Sequence, residues 1–206
     1  MNGLTYNDDL HEYRVNGAVV PSVTQILAPL SAMEYRGVDP DVMDRAAQLG
    51  KAVHRMIELD IAGMLDVDAL SDLLRPYFVA WRNFRALSGF RALLSEQRVL
   101  SARYGYAGML DLFGALNGDA ALIDAKRTAQ VPRTAGPQTA GYELALRESM
   151  PEAVAEVASG PRGGRIKRYA LHLQPEGKWT LVPFRDPNDQ RVFLSALTLN
   201  TWSKAA

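Results

Sequence analysis

Apolar residues recur along the chain with two periods, and the changes between them mark out the elements. From Asp41, in DVMDRAAQLGKAVHRMIELDIAG, the positions Ala46, Leu49, Val53, Ile57 and Ile61 form a stripe at helical spacing, which predicts an amphipathic helix. A second helix is predicted from about Asp68 to Leu87, interrupted or kinked near Pro76. Alternating or near-continuous apolar runs predict strands at Arg91–Ser101, Gly105–Leu116, Asp119–Lys126, Arg165–Leu173 and Trp179–Phe184. Helices are predicted at Gln138–Ser149 and Pro187–Trp202. At the start, Tyr13, Val15, Val19 and Val20 around Asn16-Gly17 predict a small hairpin ending at Pro21. Ser22 would cap a short helix through Leu27, while Pro29 and residues 37–40 mark loops, and SGPRGG at 159–164 reads as a flexible loop.

The strands on either side of Asn117-Gly118 carry apolar residues on both faces: Leu110, Leu112, Ile123 and Ala125 on one, Met109, Phe113 and Leu122 on the other. A strand buried on both sides needs helices in front and behind, so the expected class is α/β, a mixed central sheet flanked by helices. No repeat or domain boundary is visible, and residues 1–206 read as one domain: an N-terminal hairpin and short helix (1–40), a core (41–150) and C-terminal strands and helix (151–206).

Asn-Gly is the strongest short signal for a two-residue hairpin turn. With that turn, residues facing each other have numbers summing to 235, and Asp111 and Asp124 do so. Two carboxylates directly opposite destabilise a bare sheet. A cation between them relieves the repulsion, and alternation places Lys126 one step further on the face of Asp124. That is the layout of a divalent-metal phosphodiesterase site.

Composition narrows the setting. Among the 206 residues there is no cysteine, which excludes disulfides, thiolate zinc sites and iron–sulfur clusters. The first residues, MNGLTYNDDLHEY, do not resemble a secretory signal, and no apolar run approaches the roughly 20 residues of a membrane span. These features lead us to expect a soluble, cytoplasmic protein, with no membrane partner. The net charge is zero, yet residues 1–66 hold 5 basic against 10 acidic residues and the remainder is correspondingly basic, which leaves room for a local phosphate-binding face.

Further candidates surround the hairpin. His54 and Glu58 lie four residues apart on one helix face, and Gly50, one turn earlier, would let another backbone approach. Gln138 and Tyr142 share the same spacing. Arg127 and Arg133 flank the hairpin, Arg162, Arg165, Lys167 and Arg168 cluster near the glycine-rich loop, and Glu96 is an additional acidic group on the strand feeding the hairpin.

The order Gly50-x-x-x-His54-x-x-x-Glu58, Gly108-x-x-Asp111, Ile123-Asp124-x-Lys126 and Gln138-x-x-x-Tyr142 resembles the RecB-like branch of the PD-(D/E)XK nucleases. The opening from His11 to Thr24 is similar to that of small free-standing members, such as phage exonucleases and the mitochondrial genome maintenance exonuclease. The resemblance covers roughly residues 11–145. It implies a restriction-endonuclease-like core and a Mg²⁺-dependent DNA exonuclease, with Mn²⁺ as a substitute, acting in phage or bacterial recombination, replication or repair. It implies His54, Asp111, Asp124 and the Ala125 carbonyl as metal ligands, Lys126 as the catalytic lysine and Glu58 as a supporting acid. Gln138, Tyr142, Ser22, Thr24, Arg127 and Arg133 are the DNA-binding candidates. The implied partners are DNA with a free end and a single-strand annealing or single-strand-binding protein. A non-cleaving DNA-binding scaffold, an endonuclease and a metal hydrolase of small molecules remain as alternatives.

Overall fold

A computed structural model of the chain describes residues 3–8, 10, 12–158 and 164–204; the expected loop at 159–163, with Arg162, and His11 lie outside the described residues. Asn117 and Gly118 have φ of 51° and 79°, the pair of left-handed conformations of a type I′ turn. They join β5 (Tyr106–Leu116) to β6 (Asp119–Lys126), and the strands pair with numbers summing to 235 from Leu116↔Asp119 to Leu112↔Ile123. Asp111 and Asp124 are the next positions beyond the last pair.

These strands lie within a five-stranded sheet, β4 (Arg91–Ser101), β5, β6, β7 (Ile166–Leu173) and β8 (Trp179–Phe184), in sequence order. All neighbours are antiparallel except β6 and β7, whose parallel pairing requires the crossover through α4 (Ala135–Ser149) and α5 (Pro151–Ala158). A separate three-stranded sheet precedes it: β1 (Leu4–Asn7), β2 (Glu12–Val15) and β3 (Ala18–Val20). The remaining helices are α1 (Val23–Glu34), α2 (Pro40–Ile61), α3 (Arg75–Ser88) and α6 (Asp189–Lys204). One core cluster gathers Ile26, Leu122, Tyr142 and Phe193; a second gathers Met56, Trp81, Ile123 and Leu171. Helices therefore cover both faces of a mixed sheet, as the doubly apolar hairpin requires. No helix among the described residues is long and apolar enough to cross a membrane.

Several boundaries differ from the sequence reading. Helix α1 runs on through Pro29, because the capping box of Ser22 with Gln25 and the burial of Val23, Ile26 and Leu27 outweigh one lost hydrogen bond. Helix α3 begins at Arg75, so Pro76 opens the helix rather than kinking it; the first turn is the place where a missing N–H is harmless. Helix α5 was not expected. Leu110 packs with Phe113 and Leu122, not with Leu112 and Ile123. Strict alternation is broken once, next to Asp111.

Candidate metal centre and active site

The break has an identifiable origin in β4. Ala92 pairs with Gly114, but Leu94 pairs with Phe113, so a bulge shifts the register by one residue. Gly114 permits it: a Cβ there would lie 2.0 Å from the Arg91 carbonyl oxygen. Beyond the bulge Ser95 pairs with Leu112 and Gln97 with Leu110, which places Glu96 across from Asp111. Glu96 has φ of 47°, a costly conformation for a residue with a side chain.

His54 of α2 closes over this pair. Its Nδ1 lies 3.0 Å from Glu96 Oε1 and 3.6 Å from Asp111 Oδ1. The other Asp111 oxygen, Oδ2, accepts the Ala125 N–H at 2.7 Å, so a side chain replaces the ladder bond where the strands part. The Asp111 carboxylate raises the His54 pKa to about 9 against the opposing effect of burial, with Glu96 adding to the rise. Burial pushes Asp111 itself upward, although His54 counters it.

Asp124 and Lys126 form the second half of the site. Lys126 Nζ forms an ion pair with Asp124 Oδ2 at 2.7 Å, and Asp124 Oδ1 has no hydrogen-bond partner. Asp124 is 2% exposed. Burial lifts its pKa to about 6, with Lys126 opposing and Asp111 adding to the rise. Burial alone would lower the Lys126 pKa, but Asp124 and Asp111 outweigh it and the net shift is upward. Lys126 Nζ also donates to Gln138 Oε1 at 3.3 Å, and Gln138 Nε2 donates to the Tyr142 hydroxyl at 3.3 Å. Gly108 leaves room for the Tyr142 ring, since a Cβ there would stand 2.7 Å from it.

Neither a protein-family model nor a curated protein matches the chain. Its chemistry has to be read from its own side chains.

His54, Glu96 and Asp111 present one nitrogen and two oxygens within 4.8 Å of one another. Neighbouring ligands on an octahedral shell of about 2.1 Å radius are roughly 3.0 Å apart, which the His54–Glu96 spacing matches. Asp124 stands outside that group, with a buried Oδ1 that has no hydrogen-bond partner. The donor set therefore fits Mg²⁺ or Mn²⁺.

The expected site residues are distributed unevenly. His54 and Asp111 meet, Asp124 and Lys126 pair beside them, Ala125 touches Asp111 through its N–H rather than its carbonyl, and Gln138 and Tyr142 support the lysine. Glu58 does not join them; it pairs with Arg55 on the outside of α2, and Glu96 is the acid beside His54. Tyr142 is 4% exposed and holds the site from below, so the expected DNA contact does not fit it. Ser22 is buried with its hydroxyl committed to the Gln25 N–H, whereas Thr24 is exposed. Arg127 donates Nη1 to the Ala46 carbonyl, and exposed Arg133 donates its backbone N–H to Glu34. No backbone approaches Gly50.

The basic cluster near the glycine-rich loop lies elsewhere. Arg165, Lys167 and Arg168 line a cavity of about 590 Å³ at the hairpin tip, beside Gly118 and Asp119. Asp124 lies five residue steps beyond Asp119 along β6, roughly 16 Å. Lys167 is paired with Asp119, and Arg168 with Asp189.

Proposed function

We propose that the chain is a divalent-metal-dependent deoxyribonuclease with a PD-(D/E)XK core. The observation that carries this reading is the meeting of His54, Glu96 and Asp111 at the end of the sheet where Lys126 is held against buried Asp124. Three carboxylates and a histidine beside one lysine make little sense as a packing device, because each desolvated acid costs stability unless a cation compensates it.

A Mg²⁺ or Mn²⁺ ion bound there would supply Lewis acidity and lower the pKa of a water. His54, Glu96 and Asp111 would hold the cation, with the free Oδ1 of Asp124 beside them as a further oxygen donor. Lys126 keeps its proton through the neighbouring carboxylates, so it offers charge and a hydrogen bond to a non-bridging phosphate oxygen. Gln138 orients the ammonium, and Tyr142 orients Gln138. Phosphodiester hydrolysis by water needs no covalent enzyme intermediate, and no side chain here is placed as a nucleophile.

DNA as the polymer, and attack from a free end, rest on the sequence resemblance. End-labelled linear and covalently closed circular DNA, single- and double-stranded, incubated with Mg²⁺, Mn²⁺ or EDTA, tests the reading. Metal-dependent digestion of linear DNA alone is expected. Cutting of closed circles would make the enzyme an endonuclease, and binding without cleavage in either metal would reduce it to a scaffold.

A further inference from the structure

Gly50 lies in the middle of α2, where glycine weakens a helix. Nothing within the chain requires it. A Cβ at this position would meet no atom within 4 Å, and its φ is not left-handed. Gly108 and Gly114 admit a close neighbour; Gly50 admits none.

The open space has defined borders. One turn onward on the same face is His54, a member of the metal group. One turn back is Ala46, whose carbonyl receives Arg127 Nη1. Arg127 Nε is buried without a partner, so this guanidinium is not fully satisfied by the chain. The buried residues of α2 are Val53, Met56 and Ile57, all beyond Gly50, and of the turns before it only Leu49 packs partly against their cluster. Lys51 is exposed beside the gap. Along one side of the helix there follow Ala46, whose carbonyl holds the Arg127 guanidinium, the vacant position at Gly50 and His54 of the metal group.

We propose that Gly50 is a positioning residue for a polynucleotide: its missing side chain is the clearance through which the substrate's sugar–phosphate backbone passes between the His54–Glu96–Asp111 group and Arg127. This rests on the phosphodiesterase reading and adds to it the route of the strand and a preference for a polymer over a small diester. A side chain at position 50 would obstruct the strand, while a small diester reaches the metal group without crossing α2 there.

Gly50→Ala and Gly50→Leu in the full chain test the route. Both replace glycine by a good helix former, so the melting temperature should hold or rise, and Mn²⁺ affinity by calorimetry should stay within twofold. The KM for a single-stranded oligonucleotide should rise with side-chain size, at least tenfold for Leu, with kcat little changed. Hydrolysis of bis(p-nitrophenyl) phosphate should change less than twofold. An unchanged oligonucleotide KM in Gly50→Leu would overturn the route while leaving the nuclease reading intact. Equal losses on polymer and small diester would also overturn it, by placing the damage at the metal group. A wild-type chain that hydrolyses neither substrate in Mn²⁺ would overturn both.

Discussion

Glu96 and Asp111 share one partner, His54 Nδ1, at 3.0 and 3.6 Å. A proton on that nitrogen holds together two carboxylates that would otherwise repel, and a metal ion can take over the same role. Replacing Glu96 by Gln, or His54 by Ala, should lower Mn²⁺ affinity at least tenfold, equivalent to about 1.4 kcal/mol. Glu58→Gln should leave it unchanged, because Glu58 is engaged with Arg55. Isothermal titration calorimetry on the three variants decides between Glu96 and Glu58 as the acid of the site.

Lys126→Ala should retain metal binding and DNA affinity but lose hydrolysis by several orders of magnitude. An ammonium is no metal ligand, and its contact with the phosphate strengthens only as charge develops in the transition state. Lys126→Arg should fail to rescue, since the planar guanidinium cannot occupy the same position between Asp124 and Gln138. Anisotropy in Ca²⁺ and single-turnover cleavage in Mg²⁺ separate binding from chemistry. Near wild-type cutting by either variant would remove the lysine from the mechanism.

Asp124 has a pKa of about 6 in the fold, raised first by burial, against 3.8 for the free side chain. A carboxyl raised by folding stabilises the native state fully below its unfolded value, and that contribution disappears as pH climbs through the folded value. Without metal, wild type should therefore lose on the order of 2 kcal/mol relative to Asp124→Asn between about pH 4 and 7. Urea unfolding in EDTA across that range measures the difference. Mg²⁺ at pH 7 should restore wild type more than the variant, and a pH-independent difference would contradict the assigned electrostatics.

Asp60 locks α2, and with it His54, onto α3. Its side chain is 5% exposed and accepts from Trp81 Nε1, Arg82 and Arg85. Burial pushes its pKa up, but the three hydrogen bonds outweigh this and leave it below 3.8. Its contribution is present above the unfolded value and is lost as pH falls through the lower folded one. Asp60→Ala should cost about 1–3 kcal/mol at neutral pH by leaving the indole N–H unpaired. Chemical denaturation at pH 7 and pH 3 checks both magnitude and sign, since the gap between variant and wild type should narrow in acid.

Glu34, at the end of α1, caps α4 from outside. Its carboxylate accepts the N–H groups of Arg133 and Thr134 and the Thr134 hydroxyl, in place of a local cap. Glu34→Ala should cost about 1 kcal/mol and speed hydrogen exchange in the first turn of α4, loosening Gln138 against Lys126. Unchanged exchange there would show that packing alone positions the helix.

Local chemistry along the chain determined the β5–β6 hairpin. Asn117-Gly118 sets a two-residue turn, and the register it predicts holds from Leu116↔Asp119 to Leu112↔Ile123 but stops one position short of Asp111 and Asp124, where the strands part. The layering followed from strands apolar on both faces; His54 sits on a helix whose stripe is plain in the sequence, but only the family resemblance pointed to it as a site residue. The rest depends on contacts between distant segments. Glu96 reaches Asp111 only because the bulge between Ala92 and Leu94 moves β4 by one residue, a slip that no pattern within β4 announces. Gln138 was legible as part of a helix, but the start of α4 at Ala135 was not, because its cap comes from Glu34, a hundred residues away. Turn type and periodicity act between neighbours and are written locally; bulges and borrowed caps are decided by whichever distant segment packs against them.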